Sequence, residues 1–302
     1  MDVDIVCVGL ACWDLNYYIA EHPGPDDKIH AHKSFGCPGG PALNAAVQIA
    51  RLGGSVAFLG RLGNDSWGES IADALEHEGV RTGLIHWDHQ PTPLATILIK
   101  PDGKRSVVSP APAESLDSTY IQPSDYQPKL FLFDGHQMDV SLALAKSAKE
   151  MGIPSLLDAG SNKAGMNELA HLVTHIAASA HYAQSVTDES QSVAAAEKFR
   201  AIHDAKQLQC VTHGSEGLYW SQVGQKLKYM KATPVSEVDT NGCGDAFHGA
   251  LAWAISENYV IAEAIEWAAL AGALTATQYG AFPSLPTKTN LTYWRHTYAG
   301  PN

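Results

Sequence analysis

Short apolar, β-branched runs recur along the chain, each closing on glycine: Asp4 to Gly9, Ser55 to Gly60, Leu130 to Gly135, Ser155 to Gly160 and Gln209 to Gly214. Continuous apolar runs of this length predict strands buried on both faces, as in a parallel sheet. Between several of them lie alanine-rich stretches with helical spacing, such as Leu43, Ala46, Val47 and Ala50, or Leu142, Ala145 and Ala148. The alternation predicts an α/β fold with a doubly wound, mostly parallel sheet and helices on both faces. Ligands of such a sheet sit at the C-terminal ends of its strands.

Two segments break this rhythm, about 17–35 and about 92–109. In the second, Ala95 to Ile99 and Ser106 to Val108 flank Pro101-Asp102-Gly103-Lys104, and its Asp-Gly pair is a hairpin signal. Both segments are expected to form a small antiparallel β sheet that projects over the cleft as a lid. The sequence has no internal repeat, low-complexity tract or flexible linker, so residues 1–302 are read as a single domain that includes the lid.

Composition narrows the functional classes. A chain of 302 residues with 45% hydrophobic content can bury a sizeable core. Its 20 Lys and Arg against 32 Asp and Glu give a formal net charge of −12, which disfavours nucleic acid and anionic membranes as partners. A small anionic ligand stays open, because backbone N–H groups or a metal can neutralise phosphate locally. The five cysteines (Cys7, Cys12, Cys37, Cys210, Cys243) are odd in number and lack C-x-x-C spacing, which reads as reduced cytosolic thiols. Met1 to Asp4 carries no basic n-region, and the apolar stretch Ile5 to Cys12 is too short to span a membrane, so a cytoplasmic location is expected.

The segment with the most chemistry is Asp239-Thr240-Asn241-Gly242-Cys243-Gly244-Asp245-Ala246-Phe247. From Phe247 the apolar residues fall at 247, 250, 251, 254 and 255, which is helical spacing, so a glycine-rich turn runs into a helix N-terminus. Free N–H groups and the helix dipole converge there on a site suited to a transferring phosphoryl group. Asp245, in the first helical turn, suits either a base that takes a proton from an attacking hydroxyl or a helix-capping carboxylate. The chain has no G-x-x-x-x-G-K-[ST] motif, and Phe247 stands where a dinucleotide fingerprint needs its third glycine.

This segment resembles the C-terminal signature of the ribokinase-like carbohydrate kinases, the phosphofructokinase-B family. The N-terminal signature of that family is matched by Gly39-Gly40-Pro41-Ala42-Leu43-Asn44-Ala45-Ala46, then Ala50 to Gly53 and Gly60 to Gly68. The resemblance implies an ATP-dependent sugar kinase with Asp245 as general base and Gly242, Cys243 and Gly244 as anion hole. It implies that Asp14, Gly39, Gly40 and Asn44 bind the sugar, with Lys28 and His136 where relatives distinguish substrates. A ketose or a mildly acidic sugar fits those two residues. Thr212, Gly214, Ser215 and Gly217 match a nucleotide-binding loop. Asp239, the Asn241 carbonyl, Gly280 and Ser284 match a region that holds a potassium-like ion. Where the family carries Asn-x-x-Glu near Mg²⁺ and phosphate, the counterpart read here is Ser185-Val186-Thr187-Asp188, with Ser185 toward ATP and Asp188 toward the metal.

Cys243 stands where alanine is commoner and reads as a small filler. Two rival readings are a nucleoside kinase of the same fold, with Trp13, Tyr17 and Phe35 stacking the base, and a catalytically silent sugar-binding protein. A homodimer paired through the lid edge is the expected assembly.

Overall fold

Isolated in sequence, the apolar runs assemble side by side. The computed structural model describes residues 3–110 and 115–298. The chain runs through β1 (Ile5–Val8), β2 (Cys12–Tyr18), β3 (Lys33–Gly39), α1 (Pro41–Arg51), β4 (Val56–Gly63), α2 (Ser66–His77), β5 (Arg81–Asp88), β6 (Leu94–Ile99) and β7 (Arg105–Val108). It continues through β8 (Leu130–Phe133), α3 (Met138–Met151), β9 (Ser155–Ala159), α4 (Met166–Leu172), β10 (His175–Ser179), α5 (Ala180–Thr187), α6 (Ser192–Ile202) and β11 (Leu208–Thr212). The last part holds β12 (Leu218–Ser221), β13 (Lys228–Met230), α7 (Cys243–Ser256), α8 (Ile261–Thr275), α9 (Ala281–Ser284) and α10 (Lys288–Tyr298).

The central sheet has the order β13-β12-β11-β10-β9-β8-β1-β4-β5. From β11 to β5 every neighbouring pair is parallel, and β12 and β13 close one edge antiparallel. Side-chain alternation sends Ile5 and Cys7 of β1 into one core with α1, α2, α7 and α8, while Val6 and Val8 face a second core with α3 to α6. The five predicted runs are all strands of this sheet. The strand β10, which the sequence reading did not single out, has small residues (His175-Ile176-Ala177-Ala178-Ser179), and its pairing with β9 and β11 supplies what its local propensity lacks.

The second sheet, β3-β2-β6-β7, stands apart from the first. Its outer pairs are antiparallel and the central pair β2–β6 is parallel, because these two strands follow β1 and β5, which themselves run parallel in the central sheet. The first excursion begins at Cys12 rather than Tyr17 and returns through Gly39 rather than Phe35. The reason lies in β2. Its buried side chains are Cys12, Asp14, Asn16 and Tyr18, so polar groups occupy the inward positions and the alternation gives no apolar signal.

Helices α1 and α7 pack against each other closely enough that a Cβ on Gly249 would lie 2.6 Å from the Ala45 carbonyl oxygen and 2.8 Å from Gln48 Cβ. A Gly249→Ala substitution is therefore expected to wedge the helices apart and cost about 1–3 kcal/mol despite the higher helix propensity of alanine. Thermal or urea unfolding of the variant checks this.

Candidate active site

The N-terminus of α7 is built from a turn that only glycine permits. Gly242 precedes the helix with φ 79°, and a Cβ there would meet Ala281 Cβ at 2.6 Å, so the turn lies directly against the start of α9. The first intrahelical bond to this turn is Ala246 N–H to the Gly242 carbonyl (2.9 Å), which leaves the N–H groups of Cys243, Gly244 and Asp245 at the open end of the helix. Gly244 is exposed, and open space surrounds the position its Cβ would take. Burial pushes the Cys243 thiol up to about 12, so it is a neutral side chain at neutral pH.

Asp245 accepts a 2.7 Å hydrogen bond from Asn44 Nδ2 on α1. Asp14, buried on β2, accepts one from the Cys12 thiol (3.2 Å). Both carboxyls are raised from 3.8 to about 6: Asp14 by burial and then by the charge of Asp245, Asp245 by burial and then by the charge of Asp158. The neighbouring glycines make room for this arrangement. A Cβ on Gly39 would fall 2.2 Å from the Asp14 carboxylate, and Gly40, at φ 104°, brings the start of α1 against the Leu10 carbonyl. Two buried polar atoms around these carboxylates have no partner among the described residues: Asn44 Oδ1 and Asn241 Nδ2. One donor and one acceptor left open beside two carboxylates make a surface that a polyhydroxylated ligand can satisfy.

A cavity of about 570 Å³ adjoins this turn. Thr212, Gly214, Ser215 and Gly217, from the turn between β11 and β12, line one side, and Cys243 and Gly244 line another. Its size and its open backbone donors fit a nucleotide whose terminal phosphate points at the α7 N-terminus. Arg105 from the lid also borders the cavity and donates to Thr240 Oγ1 (3.0 Å), which in turn donates to the Gly103 carbonyl (3.0 Å).

Other expected residues stand elsewhere. Lys28 lies exposed in the connection between β2 and β3. His136 follows β8 and sits half-buried against Lys163 Nζ (2.9 Å) and Asp134 (3.3 Å), in a polar cluster next to the cleft. Ser185 and Asp188 are exposed at the C-terminal end of α5, with Asp188 as its left-handed cap. The helix starts at Ala180, directly after β10, so about two turns of helix separate these residues from the strand end where ligands bind, and they are not placed to hold a metal there. Asp239 is fully buried and already accepts three hydrogen bonds, from Tyr18, Asn241 and Gly280. Ser284 donates to the Ala281 carbonyl. Of the aromatic candidates, Trp13 and Tyr17 alternate to the face of β2 opposite Asp14, Trp13 packing on Trp67, while Phe35 stacks on Tyr18.

The sequence reading missed Arg105, Tyr18, Asp158 and His248. His248, one turn after Asp245, places Nδ1 2.7 Å from the Gly244 carbonyl and 3.3 Å from Asp158. Its i, i+4 spacing from Gly244 was the available signal.

The raised carboxyls make a prediction about pH. The folded chain holds protons up to about pH 6 that the unfolded chain releases near 3.8, so stability falls as pH rises between these values and stays lower above them. Asp245→Asn, whose amide oxygen can still accept from Asn44, is expected to melt higher than the parent at pH of about 8 and by a smaller margin at about 4.5. Thermal scans of both proteins at the two pH values check it.

The arrangement has known counterparts. The chain matches the pfkB family carbohydrate kinase profile over residues 2–288. It is 31% identical to the ribokinase of Haemophilus influenzae over 263 residues, covering 83% of this chain and 84% of that protein. It is 30% identical to the fructokinase of Vibrio alginolyticus over 288 residues, covering 84% and 90%. The structure superposes on Arabidopsis thaliana ribokinase complexed with ribose and ATP with a TM-score of 0.80 at 26% identity, covering 97% of this chain and 98% of that one.

Proposed function

The chain belongs to the pfkB family of carbohydrate kinases, ATP-dependent phosphotransferases, and from that premise we propose that it moves the γ-phosphoryl group of ATP to a primary hydroxyl of a monosaccharide. The observation that carries this reading is the place of Asp245: a half-buried carboxylate held by Asn44, one residue past the open N–H groups that border the cavity. Asp14 and Asn44 orient the sugar, with the unpaired Asn241 donor taking a further hydroxyl. Asp245, ionised above pH of about 6, accepts the proton of the attacking hydroxyl. The N–H groups of Cys243 and Gly244 stabilise the charge on the transferring group, and most of the acceleration comes from positioning and this fixed polarity. Mg²⁺ would be held by the oxygens of the nucleotide and by water, without Asp188, and would neutralise charge on the transferring group.

A ketose or an aldose fits this cleft better than a nucleoside, because Trp13 and Tyr17 point away from Asp14. ADP release with Mg-ATP over a panel of ketoses, aldoses, sugar acids and nucleosides is expected to show turnover with a sugar. Asp245→Asn is expected to lower kcat by about 10²–10⁴-fold with little change in KM for that sugar. Unimpaired turnover in the variant would overturn the role of Asp245. Sugar-induced thermal stabilisation without turnover on any panel member would favour a binding protein.

A further inference from the structure

The resemblance leads to the expectation of a monovalent cation on Asp239, the Asn241 carbonyl, Gly280 and Ser284, and the residues here do not fit that group. Such an ion needs oxygen lone pairs turned toward a common point. Asp239 is 0% exposed, and its oxygens already face donors: Oδ1 accepts from Asn241 N–H (2.9 Å), and Oδ2 accepts from both the Tyr18 hydroxyl (2.7 Å) and Gly280 N–H (2.9 Å). The Ala276 carbonyl takes the N–H groups of Val238 (2.8 Å) and Asp239 (3.2 Å). The positive end that meets the Asp239 carboxylate from the lid is therefore the hydrogen of Tyr18.

Tyr18 is built to stay there. It is 2% exposed, edge-on to Tyr279 (4.6 Å between ring centroids) and stacked on Phe35 (6.0 Å). Enclosed by these rings, its hydroxyl points at Asp239 Oδ2 and donates to it. Lys33 Nζ lies 3.8 Å from the centre of the Tyr279 ring and caps the same aromatic cluster from outside.

We propose that Tyr18 takes the place of a bound monovalent cation: its hydroxyl locks Asp239, and with it strand β2 of the lid, onto the turn that leads into α7, so the enzyme works without such an ion. Tyr18 is a positioning residue, two positions along β2 from Asn16 and four from Asp14 on the same buried face.

The test has a binding arm that does not depend on the kinase reading and a turnover arm that does. In the first, the parent protein is melted in KCl and in tetramethylammonium chloride at matched ionic strength, with and without ADP. The expected result is no potassium-specific shift, and a clear potassium-specific rise in melting temperature overturns the proposal. In the second, turnover on the preferred sugar is expected to be equal in the two salts. Tyr18→Phe is expected to lower kcat about 10-fold and to gain a potassium response, as the freed carboxylate oxygen accepts the ion. A parent enzyme silent in tetramethylammonium and active in potassium overturns the proposal, as does a Tyr18→Phe enzyme identical to the parent in both salts. If no sugar supports turnover, the kinase reading has failed and the melting arm still decides this one.

Discussion

The distance between Asn44 and Asp245 depends on how closely α1 and α7 approach. A 2.7 Å hydrogen bond between side chains as short as Asn and Asp needs the two helices almost in backbone contact, and Gly249 against Ala45 permits that approach. The same approach puts the first turn of α7 beside the glycine-rich entry to α1, where Gly39 leaves the volume that the Asp14 carboxylate fills. Alanine is frequent on these helices for the same physical reason. A larger residue at the interface would separate two groups that act only at hydrogen-bond distance.

Bringing carboxylates together in a sparsely hydrated cleft has a cost, seen in the raised values of Asp14, Asp158 and Asp245. Water-exposed carboxylates would not carry that penalty, and they would be weaker bases toward a sugar hydroxyl. His248 offsets part of it from below, lying between Asp158 and the Gly244 carbonyl. The open N–H groups at the end of α7 give the site its opposite polarity without a lysine or arginine cluster, which is how a chain of net charge −12 can receive a triphosphate.

The lid is joined to this centre at two points on one turn. Tyr18 of β2 holds Asp239, and Arg105 of β7 holds Thr240, which is bonded in turn to Gly103. These short hydrogen bonds tie the second sheet to the residues that precede Gly242, Cys243 and Gly244.

Much of this architecture is legible in the amino-acid order. Buried parallel strands are read from apolar runs because both of their faces are covered, and the glycine-rich turns before α1 and α7 are visible because no other residue tolerates their backbone. Asp14, Asn44 and Asp245 sit in or beside those local patterns. The lid strand β2 was misplaced by a few residues because Asp14 and Asn16 face inward, which reverses the usual polarity of a strand. Ser185 and Asp188 are expected near the nucleotide and its metal only as the counterpart of the family's Asn-x-x-Glu, and the start of α5 at Ala180 carries them to its far end. Local sequence shows where glycine turns, helical spacing and continuous apolar runs lie, since these patterns depend on near neighbours. Which donor meets Asp239, which arginine reaches Thr240 and which amide reaches Asp245 are contacts between residues 135 to 221 positions apart, and only the packed chain decides them.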